Sequence, residues 1–199
     1  MAEPSHAVET LHDHAAWQPV ASAANLEKTI QVQGECWTLR HEIIWRPHEN
    51  KASFFDRHGM QVLDARDQYD TRQTFHYPDR QKVCLKGIAH EGGRLSFEVP
   101  GLRRRWPVLL IAPQLLRAKQ PDLRIWAGDR CVGVARHFDF VDRRVPWRNL
   151  IIRLRAQDWN NPQIVQMEPI DAGKDHSFFG CRFYLPMTPS DAPPTPGGP

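Results

Sequence analysis

This sequence has no catalytic signature. It contains no P-loop, no G-x-S-x-G elbow, no H-E-x-x-H motif and no EF-hand loop. The nucleotide, acyl-transfer, zincin and calcium chemistries that those motifs build are therefore not indicated. Cysteine is sparse and scattered. Cys36, Cys84, Cys131 and Cys181 are spaced nearly evenly, with no C-x-x-C or C-x-H pair, and a zinc site needs clustered ligands. Long apolar runs are also missing. The longest, Val108–Ala112, has five residues, against roughly 20 for a membrane-spanning helix. There is no Asn-x-Ser/Thr sequon, and Met1-Ala2-Glu3-Pro4-Ser5-His6 lacks the basic and apolar segments of a secretory leader. These absences set the expectation of a cytoplasmic chain with reduced thiols and neither metal nor cofactor.

What the chain does contain is tryptophan, proline and unevenly placed charge. Seven Trp and 17 Pro in 199 residues argue against a helical bundle, because Pro breaks helix interiors and Trp suits half-buried strands. The length suffices for one domain with a real core. The formal net charge is only +3, yet residues 101–155 hold 13 Lys+Arg against 4 Asp+Glu. The remaining residues hold 13 Lys+Arg against 19 Asp+Glu. A basic segment in an otherwise acidic protein suggests a surface that faces a polyanion: phospholipid headgroups, nucleic acid or an acidic protein.

The pattern along the chain reads as strands. Residues 1–28 are rich in Ala, His, Glu and Pro without sustained periodicity and read as a tail, in which His12 and His14 form an incidental H-x-H pair. Residues 188–199, with their Pro-rich sequence, read as a disordered tail. Between them, residues 29–187 form the expected single domain. Thr29–Gln33, Cys36–Trp45, Lys51–Phe55, Met60–Ala65, Thr71–Tyr77, Gln81–Ala89 and Arg94–Val99 are apolar or alternating stretches bounded by turn residues. So are Leu123–Ala127, Cys131–Arg136, Leu150–Ala156, Gln163–Met167 and Phe178–Leu185. Asp56-Arg57-His58-Gly59 and Gly128-Asp129-Arg130 read as hairpin turns. Turn signals at such spacing predict an all-β antiparallel barrel or sandwich. One helix is expected at about 113–120, with Pro113 at its first position.

The order of parts in Ala52–Glu98 is an apolar strand, a D-x-x-G turn, a Val-containing strand, an aromatic strand, a P-D turn and a strand with Val-x-Leu. It resembles the LURP-one-related group of the tubby-like fold. Leu123–Arg136, with a G-x-x-V-A turn after an apolar strand, is similar to the later hairpin of that group. The resemblance covers about 60 residues of hairpin motifs and implies a β-barrel associated with membrane phosphoinositides.

The residues singled out for anion binding are Arg103, Arg104, Arg105, Arg143, Arg144, Arg148, Arg153 and Arg155, with Trp106 and Trp147 beside them. Arg presents a fixed donor fork to phosphate, and Trp a flat amphipathic ring. Arg124 and Trp126 share a strand face. The competing reading is that these arginines pair with the acidic remainder of the chain. Asp175-His176-Ser177 places three suggestive residue types together, but adjacent residues of an extended chain point apart. Asp139 and Asp142 read as turn residues. A carboxylate pair of the glycosidase kind needs no local motif, so enzymatic and carbohydrate-binding sandwiches stay open beside the leading expectation. That expectation is a non-enzymatic module that engages anionic phospholipid headgroups, or nucleic acid, through its arginines. One outcome is set at this level: titration of the denatured protein without reductant should find four free thiols, and two or none would mean an oxidising compartment.

Overall fold

The computed structural model describes residues 28–76, 82–103, 105–115, 121–135, 147–171 and 173–187. They form β1 (Thr29–Val32), β2 (Glu35–Ile43), α1 (Lys51–His58), β3 (Gln61–Leu63), β4 (Asp67–His76), β5 (Lys82–Glu91) and β6 (Arg94–Val99). Then follow β7 (Val108–Leu115), β8 (Leu123–Ala127), β9 (Arg130–Ala135), β10 (Trp147–Leu154), β11 (Gln163–Pro169), β12 (Asp175–Phe178) and β13 (Cys181–Pro186). All pairings are antiparallel. One sheet runs β1-β2-β13-β7-β10, a second β3-β6-β11-β8-β9, and a third β12-β5-β4. The all-β antiparallel expectation holds. The tail assignments, residues 1–27 and 188–199, lie outside the described residues.

The two five-stranded sheets face each other across one core. Leu95, Phe97 and Val99 of β6 alternate inward, as do Leu123 and Ile125 of β8, and they meet Val108, Leu110, Phe183 and Leu185 of the opposite sheet. The Phe97 ring lies edge-on to Phe183 at 6.1 Å, directly across the sandwich. The first sheet also buries its other face: Trp37, Leu109, Ile111 and Tyr184 form a second apolar cluster there. A bulge makes this possible. Phe183 opposes His41 and Tyr184 opposes Leu39, so Arg40 is the extra residue in β2. The insertion switches the side-chain parity of β2, placing Trp37 and Leu39 with Tyr184 while Ile43 turns into the main core.

Three local expectations are corrected. The helix expected at about 113–120 is not found where it can be checked: Pro113, Gln114 and Leu115 end β7, and residues 116–120 lie outside the described set. Pro113 fits a strand there because β13 pairs β7 at Leu109–Ile111, leaving β10 as its one neighbour among the described residues. The helix lies instead at Lys51–His58, where a strand and hairpin were expected. The Asn50 side chain accepts from the Ser53 backbone N–H at 2.8 Å, and Gly59 closes the other end in the left-handed conformation. The D-x-x-G motif is thus a helix end, whereas Gly128-Asp129 is a true hairpin between β8 and β9. Finally, Phe178–Leu185 is two strands in two sheets, divided at Phe179-Gly180.

A sandwich has two open seams. On one side β9 meets β10 directly: the Arg155 N–H donates to the Val132 carbonyl at 3.3 Å. Gly133 permits the approach, since a Cβ there would lie 2.9 Å from Leu154 Cδ2. Elsewhere at the core's margin α1 packs against β6. Phe54 stacks on Trp45 at 5.4 Å, and both are buried. The turn before α1 is pinned where the Glu49 carbonyl accepts from Trp45 Nε1 at 3.0 Å and Lys86 Nζ at 2.7 Å. Phe54→Ala should therefore cost about 3–5 kcal/mol in urea unfolding, and Asn50→Ala about 1 kcal/mol. A Phe54→Ala loss below about 1 kcal/mol would show that the helix does not plug the core.

Candidate functional site

The connection from β6 to β7 carries Arg103, Arg105 and Trp106, and its backbone is tied down. Gly101 N–H donates to the Asn161 side chain at 3.0 Å, Arg105 N–H to the Gln157 carbonyl at 2.7 Å, and Trp106 N–H to the Arg103 carbonyl at 3.2 Å. Trp159 Nε1 donates to the Trp106 carbonyl at 2.8 Å. Arg105 has a φ of 61°, a conformation uncommon outside glycine. Its side chain is 81% exposed and reaches Asp158 only at 3.4 Å, a pair with little net attraction in water. The Arg103 guanidinium lies 4.7 Å from the Trp106 ring centre. Trp106 is half-buried and packs against the core.

The other candidates are divided among several places. Arg153 pairs with Glu35 at 3.2 Å and covers the Trp37 ring at 5.5 Å. Arg155 is exposed just beyond β10, near the β6–β7 connection because Leu154 pairs with Val108. Trp147 and Arg148 begin β10, opposite Leu115 and Gln114. Five residues at about 3.3 Å each put Arg148 some 17 Å from Arg153 along the strand, so the strand does not unite them. Arg104, Arg143 and Arg144 lie outside the described residues, as do Asp139 and Asp142. Arg124 and Trp126 do share a face, but their partners come from other strands. Glu168 accepts from Trp126 Nε1 at 2.8 Å and from Arg94 Nε at 3.2 Å, while Arg94 lies over the Trp126 ring at 5.4 Å.

Histidines form two buried groups that the sequence did not reveal. His90 and His176 meet at 3.1 Å between β5 and β12. The Gly92 carbonyl lies 2.7 Å from His90 Nδ1, so that nitrogen carries the proton and the neutral ring accepts from His176 at Nε2. Burial pushes the His90 pKa down, opposed by the Gly92 bond and Asp175. Asp175 points the other way and accepts from Tyr69 Oη at 2.8 Å, so Asp175-His176-Ser177 forms no triad.

The second group sits where α1 meets the bulged strand β2. His41 and His58 lie edge-to-face, with ring centres 5.5 Å apart. His58 is 5% exposed, yet among the described residues neither of its ring nitrogens has a hydrogen-bond partner, nor does His41 Nε2. Burial, then Arg57 and His41, lower the His58 pKa to about 4. A cleft of about 260 Å³ opens here, lined by His41, Glu42, Ile44, Arg46, Arg57 and His58. A second cavity, among Leu110, Ile125, Ile152, Met167 and Phe178, holds about 20 Å³ and is a gap in the core. Among the described residues no three His, Cys, Asp or Glu side chains are grouped to hold a metal ion.

No protein-family model matches this chain, and no curated protein matches it. Among solved structures, a β-1,3-glucan-binding CBM6 from Bacillus halodurans is similar at 8% identity and a TM-score of 0.41, over 73% of this chain and 99% of its own.

The lowered His58 pKa has a consequence for stability. Between pH 6.5 and about 4 the unfolded chain protonates this histidine and the folded chain does not. Stability is therefore fully present above pH 6.5 and falls as the pH drops through that window, by up to about 3 kcal/mol from this group. Urea unfolding across the window should show a shallower pH slope in His58→Phe, and an unchanged slope would remove His58 as its source.

Proposed function

We propose that the chain is a non-enzymatic binding module whose arginine-bearing loop, Gly101–Pro107, meets the phosphate groups of an anionic membrane surface, with Arg155 beside it. The observation that carries this reading is Arg105. It is held at positive φ on a loop tied by backbone hydrogen bonds and projects its guanidinium into solvent. A loop ordered in advance costs less to order on binding, and strain retained at an exposed cation suits a ligand contact. Four free thiols fit a cytoplasmic membrane face. Among the described residues no helix is long and apolar enough to cross a membrane, so the contact is peripheral in this reading.

The competing partners fit less well. Stacking on single-stranded nucleic acid needs an open aromatic face, and Trp106 is packed against the core with Arg103 over it. Sugar stacking on Trp126 meets the same obstacle, since Arg94 covers that ring and Glu168 takes its N–H. An exposed arginine near an anionic membrane is worth roughly 1 kcal/mol. Replacing Arg103, Arg104 and Arg105 together with Ala should then weaken binding to anionic vesicles about a hundredfold. Added salt should weaken the unmodified protein in the same direction. Co-sedimentation with vesicles checks both. Wild-type protein that ignores anionic vesicles at low salt overturns the reading, and so does a triple variant that unfolds, because its arginines would then be internal partners.

A further inference from the structure

The cleft at the α1–β2 seam presents groups that the fold itself does not use. A buried polar atom without a partner costs roughly 1–3 kcal/mol, and His58 holds two such nitrogens beside a third on His41. The His58 ring packs edge-on to Phe54 at 5.1 Å as well as to His41. Nothing in the core requires a histidine at that position, and an apolar side chain would avoid the cost.

The charges around the cleft decide what could meet those nitrogens. From β2 come His41 and Glu42, from the turn before α1 come Arg46 and Glu49, from α1 comes Arg57, from β13 comes Arg182, and from β6 comes Glu98, whose side chain lies against Gly59. Glu42 and Glu49 are already engaged. Glu42 accepts from Arg182 Nε at 2.8 Å, and Glu49 pairs with Arg57 at 2.8 Å. Arg46 is exposed, lines the cleft and has no carboxylate partner among the described residues. In the lining of the cleft Arg46 and Arg57 outnumber Glu42, which disfavours a metal cation, and among the described residues no third ligand is grouped with the two histidines. A cleft of about 260 Å³ is smaller than the roughly 300–1,000 Å³ of pockets for drug-sized ligands.

We infer that this cleft is a binding site for a small tetrahedral oxyanion of the phosphate class, held by Arg46 and by N–H donors of His41 and His58, with Arg57 at its wall. The ring nitrogens have no exposed surface in the free chain, so binding includes a small turn of the two rings toward the anion; it satisfies those nitrogens and places negative charge beside His58. That charge favours the imidazolium, which has two donors where the neutral ring has one. Binding is therefore coupled to proton uptake. The site shares no residue with the Gly101–Pro107 loop, so either reading can fail without the other.

The test uses the full chain and two probes, sulfate and inorganic phosphate, with chloride at matched ionic strength as the control. Sulfate carries the pH measurement because it does not itself titrate near neutrality. Calorimetry and the histidine ring signals in NMR should show saturable binding that tightens as the pH falls from 7 to 6, by up to about tenfold for one linked proton. Arg46→Gln should weaken it about tenfold, and His58→Gln should weaken it and abolish the pH dependence. Circular dichroism checks that His58→Gln folds. Arg46→Gln, an exposed change, carries the test if it does not. Vesicles bearing phosphatidate distinguish the source of the group: a response lost in Arg46→Gln assigns it to a headgroup, whereas binding of inorganic phosphate alone assigns it to a soluble ligand. Sulfate and phosphate isotherms that match chloride overturn the inference, as does an Arg46→Gln variant that binds like the wild type.

Discussion

Two facing sheets cannot hold water out of their core unless both seams between them are closed, and the rest of this structure depends on how that is done. One seam is closed by backbone, where β10 runs against β9 and Gly133 leaves space for Leu154. The other is closed by side chains, with α1 against β6 and Phe54 stacked on Trp45. The cap that starts α1, the pinned turn before it and the bulge in β2 all serve the second closure. The histidine cleft is its by-product. His58 ends the plugging helix and lies by β2, where its nitrogens have no partner among the described residues.

The basic segment of the sequence is less concentrated in space than along the chain. Arg153 turns to Glu35, and Arg124 lies 4.0 Å from Glu168, so part of the asymmetry is resolved by acidic residues from other strands. Such surface pairs contribute little to stability. Their effect is to subtract those arginines from any field offered to a partner. The β6–β7 connection is different because hydrogen bonds to its backbone fix its shape, so Arg105 reaches solvent from a defined position. In the cleft the sorting works by the same rule: each carboxylate is matched to one arginine, and Arg46 is the cation left over.

The sequence by itself determined the class of the fold and most of its strands, because period-2 alternation and turn residues are local properties of the chain. β6 and β8 were legible to the residue, and the Gly128-Asp129 hairpin was read correctly. β7 was not, for a physical reason. It lies inside a sheet that is apolar on both faces, so Val108–Ala112 shows no alternation, and a short continuous apolar run does not by itself distinguish strand from helix. The helix was missed because Lys51–His58 is short and buries one narrow stripe, Phe54 and His58, leaving its caps as the only local signal. The arginines were visible as a composition, yet neither their partners nor their separation along β10 could be read, since Glu35 and Glu168 reach them only through sheet order. His41 and His58 lie seventeen positions apart, with no spacing that marks a site. Only the tertiary structure brought them together, because burial and the positions of opposite charges depend on which strands become neighbours.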